Sequence, residues 1–384
     1  MMMRKRMAAW LAAGVLVLLQ APGAAQAPVR HSFDTQIPVP PTLVDVGGRP
    51  GIAHELHLTN FAGGEILIDR FVILDAADGS EIASIENEAL DKISEQAGGA
   101  GEKGPRRVAP GRRAIVYLNI ELGGRPAPAA LIHRIDYHGT AAGALPGQLT
   151  LPAVAVDRRP LPRLGPPLRG GPWAAIYDPR LERGHRRVVY AVAGTGHIPG
   201  RFAVDWFKVD SQGRRAKGDG ARMDQHYGHG AEVLAVADGI VAAARNDMVE
   251  AETLKDNPRP ALGDATGNYI AIDIGGGRYA FYEHLRQDLK VRVGDKVRRG
   301  QLIGHLGLTG SGQSPHLHFH VADRNSPLDA EGMPFVISAM KVLGAYKSIQ
   351  TFDEGGRWDP AFAEGKPGAA TLPSPNSIIQ FPGK

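Results

Sequence analysis

Short apolar or alternating runs, each closed by glycine or proline, recur along almost the whole chain and exclude an architecture built on long helices. Between Leu43 and Val156 stand LVDV, HELHLTN, ILIDRFVILDA, AIVYLNIEL, LIHRIDYH and LTLPAVAV. Further on come RRVVYAVA, RFAVDW, EVLAVADGIVAAA, NYIAIDIG, RYAFYEHL, VRVGDKV, QLIGHLG and HLHFHVAD. Such runs between turn residues are the pattern of β-strands, and 49 glycines and 29 prolines supply the turns. Only SIENEALDKISEQ suggests a helix. The chain therefore reads as all-β. The first six runs suggest an antiparallel β-sandwich over residues 28–156, and the later runs a second antiparallel β-domain over 173–345. Between them DRRPLPRLGPPLRGGP, residues 157–172, lacks periodicity and reads as a linker. The Pro- and Gly-rich residues 346–384 read as a loosely packed C-terminal extension.

Residues 1–25 carry Arg4, Lys5 and Arg6, the apolar run AAWLAAGVLVLL and then small residues, which is the order of a secretory signal peptide. The run is shorter than the roughly 20 apolar residues that a membrane span requires. The expectation is export to the periplasm or cell envelope of a bacterium, with no stable membrane span after cleavage. Removing residues 1–25 lowers the formal charge from +4 to +1. A near-neutral chain offers no basic face for nucleic acid. With no cysteine in the sequence, disulfides and thiolate zinc sites are excluded, so any metal must rest on His, Asp or Glu.

Of 14 histidines, most must be unremarkable. HELH at His54 to His57 lacks the four-residue spacing that lets two histidines share a helix face, and on a strand it points them to opposite faces. SPHLHFHVAD differs: His316, His318 and His320 alternate along a strand and line one face, while Leu317 and Phe319 turn to a core. Neutral imidazole is a common zinc ligand. A polar solvated strand face would look the same.

The company of this stretch weighs against that plain reading. EVLAVADGIVAAA, GNYIAIDIGGGRYAFYEHL and VRVGDKVRRGQLIGHLGLTGSGQSPHLHFHVAD, in that order over about 230–325, resemble the core of the lysostaphin-type (LytM-like) zinc metallo-endopeptidases, hydrolases of bacterial peptidoglycan with a duplicated hybrid motif fold. The resemblance implies an antiparallel β-sheet peptidase domain and one Zn2+. It makes His318 a metal ligand, and places His316 and His284 at the attacking water and the developing oxyanion.

One part of the pattern is missing. The family's HxxxD motif supplies two zinc ligands; Asp205 of RFAVDW fits the aspartate, but Arg201 stands four residues before it, and arginine has no lone pair for a metal. His197 and His185 are the candidates to replace it. A hairpin of RRVVYAVA with RFAVDW, closed at Gly194 to Gly196, would oppose His185 to Asp205 and favours His185, whereas His197 needs Pro199 and Gly200 to fold the chain back.

The expected metal ligands are thus His185, Asp205 and His318, and the expected catalytic residues His284 and His316, either of which could take the proton of a zinc-activated water. Glu283 alternates to the far strand face, His320 reads as idle or as a support to the ligands, and His226, His229 and His305 read as surface residues near the groove. The expected substrate is the peptide cross-link of peptidoglycan. The competing reading is a catalytically inactive protein of the same fold that binds and activates a cell-wall amidase; the missing HxxxD histidine favours it. A biotinyl-carrier-like hairpin explains VRVGDKVRRGQLIG but leaves HLHFH without a role.

Overall fold

The computed structural model describes residues 32–97, 104–144, 146–177, 184–363 and 369–383. The expected signal peptide lies outside these residues. Among those described, no helix is long and apolar enough to cross a membrane.

The structure is all-β, and its strands are overwhelmingly antiparallel. Strands Arg49–Asn60 and Arg113–Glu121 form the centre of one sheet, and Ile66–Asp75 and Ala130–Gly139 the centre of a second. Along Ala130–Gly139, Leu131, His133, Ile135 and Tyr137 are buried while their neighbours are half-exposed, the period-two signature of a strand with one face on a core. Leu56, Phe71, Leu118 and Ile135 fill the space between the sheets, making a β-sandwich. His54 of HELH is buried here against His133, 2.8 Å away, and takes no part in a metal cluster.

A ten-stranded sheet carries the second core. Its central order runs Asn268–Asp273, Tyr279–Leu285, Leu317–Ala322, Val204–Lys208, Trp173–Ile176. Trp206, Tyr282, Leu317 and Phe319 project from one face into a shared core and are essentially inaccessible to solvent. Tyr282 and Phe319 meet edge to face at 5.2 Å.

Three expectations change. The linker is not free: Arg163–Leu164 pairs in parallel with Val336–Ile337, and Leu164 and Leu168 are buried. The C-terminal extension is packed rather than loose, because Ser377–Gln380 pairs with both Trp173–Ile176 and Lys341–Ala345, and Ile378, Ile379 and Phe381 enter the core. Proline and glycine there set turns around an apolar strand that the composition masks. Finally, the hairpin expected to oppose His185 to Asp205 does not form. Tyr190–Val192 pairs with Thr195–His197 as a small separate hairpin, setting Tyr190 opposite His197. His185–Arg187 and Pro199–Phe202 are 3-10 turns, and Val204–Lys208 joins the large sheet instead.

Candidate metal and catalytic site

Register builds the site. Opposed residues of antiparallel strands share a face, and Ile176 opposes Asp205, Asp205 opposes His318, and His318 opposes Glu283. A row of side chains thus crosses four strands on the face away from the Trp206 core. His316 and His320 flank His318 on that face; His316 stacks on Phe207 and His320 on Phe281, with ring centroids 4.8 Å apart in each case.

His185 reaches this row from outside the sheet. Its Nε2 lies 2.8 Å from Asp205 Oδ2, while His318 Nδ1 lies 2.9 Å from Asp205 Oδ1. Ligand atoms of His185, Asp205 and His318 all fall within 4.8 Å of one another. His197 is elsewhere: its Nδ1 is 3.0 Å from Glu331 and its Nε2 3.0 Å from Asp329. Burial would raise the Asp205 carboxyl, but His185, His316 and the hydrogen bonds from His185 and His318 hold it well below the usual carboxylate range. Burial in turn lowers His185, and Asp205 more than compensates, leaving it raised. Burial is the chief cause that keeps His318 below its ordinary value.

Two imidazoles and a carboxylate fit zinc, whose bonds of about 2.0–2.2 Å need ligand atoms only slightly farther apart than the contacts here. The His185 side chain is 36% exposed and Asp205 15%, so one side of the cluster faces solvent. Glu283, His318 and His320 make a second group within the same distance limit. All three are buried, which suits support of the first group better than an open site.

His284 arrives by an irregularity. Ile270 opposes Tyr282 but Asn268 opposes Leu285, so Glu283 and His284 together face the single residue Tyr269, as in a β-bulge. His284 takes a positive φ of 62°, and its ring turns onto the site face beside His316, centroids 4.6 Å apart. The expectation that Glu283 points away from His284 is therefore wrong, because alternation fails across the bulge; both line the same cavity with His185 and His318. Burial, then the nearby Asp205, push the Glu283 carboxyl up to about 8. Thr309 pins the bulge: its hydroxyl donates to Leu285 O and accepts from Asn268 N, both at 2.8 Å.

The two histidines beside the cluster share one device. His284 Nδ1 is 2.9 Å from Thr309 O, and His316 Nδ1 is 2.8 Å from Ser314 O. A carbonyl only accepts, so each contact requires N–H at Nδ1 and leaves the Nε2 lone pair of the neutral ring free. His316 Nε2 stands 3.7 Å from Asp205 Oδ1. Burial, with His316 and His318, lowers His284 far below its ordinary value. His320 is not idle: its Nδ1 is 3.2 Å from His318 Nε2, the nitrogen turned away from Asp205. Composition and alternation could place His320 on the face but not in this contact.

His226, His229 and His305 engage Gly220 O, Glu250 and Asp288 and do not join the cluster. The groove extends to Tyr177, Phe207, Arg215 and Phe352, so the helix Ile349–Asp353 of the C-terminal extension forms one wall.

An antiparallel sheet here carries two imidazoles and a carboxylate that could hold a metal ion at the open edge of a groove. Residues 220–330 match the family described as Peptidase family M23, an M23 peptidase domain within the chain. It is 35% identical over 101 residues to the peptidoglycan DD-endopeptidase ShyA of Vibrio cholerae, covering 26% of this chain and 20% of that protein. It is 41% identical over 76 residues to lysostaphin of Staphylococcus simulans, covering 19% of this chain and 15% of that one. The chain spans a fifth or less of the length of these relatives. Among solved structures, the catalytic domain of lysostaphin from Staphylococcus simulans aligns with TM-score 0.24 and 22% identity over 43% of this chain and 88% of that chain. A zinc-containing peptidase from Vibrio cholerae aligns with TM-score 0.22 and 15% identity over 78% and 85%.

Proposed function

We propose that the protein is an exported zinc metallo-endopeptidase that hydrolyses peptide cross-links of peptidoglycan, with a sandwich domain over 28–156 preceding a peptidase domain over 173–345. The convergence of His185, Asp205 and His318 on one point, with His284 and His316 beside it, carries the reading. The match of residues 220–330 to Peptidase family M23 supports the reaction class.

His185 Nε2, an Asp205 oxygen and His318 Nδ1 would hold the ion. Bound there, zinc supplies Lewis acidity, polarising a carbonyl and acidifying water. The residues of the chain do the rest. The free Nε2 atoms of His284 and His316 are positioned to accept a proton and return it to the leaving amine, and the imidazolium so formed stabilises negative charge on the scissile oxygen. With Nδ1 given to the ion in place of its contact with Asp205, a neutral His318 would carry its hydrogen on Nε2, 3.2 Å from His320 Nδ1. The groove between Tyr177, Arg215 and Phe352 receives the peptide. The amidase-activator reading drew on the histidine missing from HxxxD, and His185 supplies an imidazole at Asp205 from another element.

The test is zinc content of the purified protein together with muropeptide release from peptidoglycan sacculi, before and after chelation. Stoichiometric zinc and chelator-sensitive release are expected. Zinc without cleavage would leave only a binding role.

A further inference from the structure

His185 has no place in the sheet, so something else must fix it. It opens the three-residue turn His185–Arg187, outside the strands that position Asp205 and His318. The next side chain is the anchor. Arg186 is 3% exposed and spends its guanidinium on the sandwich: Nε donates to Glu55 Oε1 at 2.7 Å, Nη1 to Asn119 Oδ1 at 2.7 Å, and Nη2 to His54 O and Leu118 O at 3.0 Å. Every acceptor belongs to strands Arg49–Asn60 or Arg113–Glu121.

The turn behind is held by the same carboxylate. Arg201 Nε donates to Glu55 Oε2 at 2.8 Å, and its Nη2 to Glu331 Oε2 at 2.8 Å. Arg201 occupies the position where the family motif has its histidine. The two turns touch closely: a Cβ on Gly200 would lie 2.9 Å from His185 Cβ. A glycine there lets His185 pass over the second turn toward Asp205.

We infer that Arg186 is a positioning residue through which the N-terminal sandwich sets the metal ligand His185, so that the peptidase site is complete only with the sandwich docked. Two oxygens of Glu55 fix two turns, and the arginine in the motif position has become part of the clamp that carries its substitute. The inference rests on the proposed zinc site and adds to it the role of the sandwich.

The experiment compares the unaltered protein with Arg186→Met, Arg186→Lys and His318→Ala, and with Arg70→Met as a control that breaks contacts to Ser84 and Glu81 in the other sheet of the sandwich. Zinc dissociation constants come from chelator competition, ligand geometry from the visible spectrum at saturating cobalt, and mobility of residues 184–188 from hydrogen exchange without metal. Arg186→Met should weaken zinc roughly 10- to 100-fold, the usual effect of losing a support to a ligand. It should also alter the cobalt spectrum and raise exchange at 184–188. Arg186→Lys should recover part of each, and Arg70→Met should leave zinc affinity and the spectrum unchanged. A folded Arg186→Met protein with zinc affinity within about threefold of the unaltered protein and an unchanged spectrum overturns the inference; if that variant does not fold, Arg186→Lys is judged by the same criterion. Should the unaltered protein bind zinc no better than His318→Ala, the zinc-site reading fails, and unchanged exchange at 184–188 in the Arg186 variants then overturns the positioning role independently.

Discussion

His185 Nε2 and Asp205 Oδ2 lie 2.8 Å apart although the residues are 20 positions apart and do not pair across strands. One sits in a 3-10 turn and the other within the large sheet, and their meeting depends on the chain reversing at Pro199–Phe202. That contact separates the two histidines that could complete a zinc site. His185→Ala should lose zinc on dialysis, whereas His197→Ala should retain it, because His197 is engaged with Asp329 and Glu331. Metal analysis of the two purified variants decides; zinc retained in His185→Ala and lost in His197→Ala would reverse the assignment.

His284 and His316 should behave differently from the ligands. With Nδ1 tied to carbonyls, each offers only Nε2 to the reaction. His284→Ala and His316→Ala should keep zinc near one equivalent while kcat falls about 10²- to 10⁴-fold, the range of general acid–base catalysis. Zinc loss in either variant would assign that residue to the metal instead.

His320 should act through His318. His320→Phe keeps a stacked ring on Phe281 but removes the nitrogen 3.2 Å from His318 Nε2, which would accept from it once His318 Nδ1 holds the ion. Zinc affinity should drop about 10- to 100-fold, and His320→Gln, which retains an acceptor, should recover part of it. Equal affinity in all three proteins would make the contact incidental.

Thr309 holds the bulge that aims His284. Thr309→Val leaves the buried Asn268 N–H without its partner, at about 1–3 kcal/mol, while the Leu285 carbonyl keeps only the Asn268 side-chain amide. A lower urea midpoint with unchanged m-value, together with reduced kcat, is expected. Lost stability with full activity would show that His284 keeps its place without Thr309.

Acid should unlock the clamp at Glu55. Burial alone would raise this carboxyl, but Arg201 and Arg186 outweigh it and lower it from 4.5 to about 2. A carboxyl depressed in the folded state contributes its full stabilisation above its unfolded value, and loses it as pH falls from about 4.5 towards 2. The linked free energy is about 3 kcal/mol. Glu55→Gln should be less stable at pH 7 by about 3–5 kcal/mol, since two buried guanidinium groups lose their shared partner. The gap should narrow between pH 4.5 and 2; a constant gap in denaturant titrations across that window would remove Glu55 as its source.

Much of this protein is written locally. Strand periodicity and turn residues determine an all-β chain, and the alternation of His316, His318 and His320 determines that they share a face, because side-chain direction on a strand follows from sequence position alone. The motif order over 230–325 carries the resemblance to the M23 family, which residues 220–330 match. What lay beyond the sequence is whatever depends on chain reversal or broken alternation. Glu283 and His284 share a cavity because a bulge suspends the period of two. The apolar strand Ser377–Gln380 enters the large sheet from a tail whose composition suggests a loosely packed extension. His185 meets Asp205 without the hairpin that local pattern suggested, since its direction is set by Arg186 and Glu55, 131 residues apart. Only tertiary structure could decide that contact, because a buried carboxylate shared by two arginines carries no periodic trace along the chain.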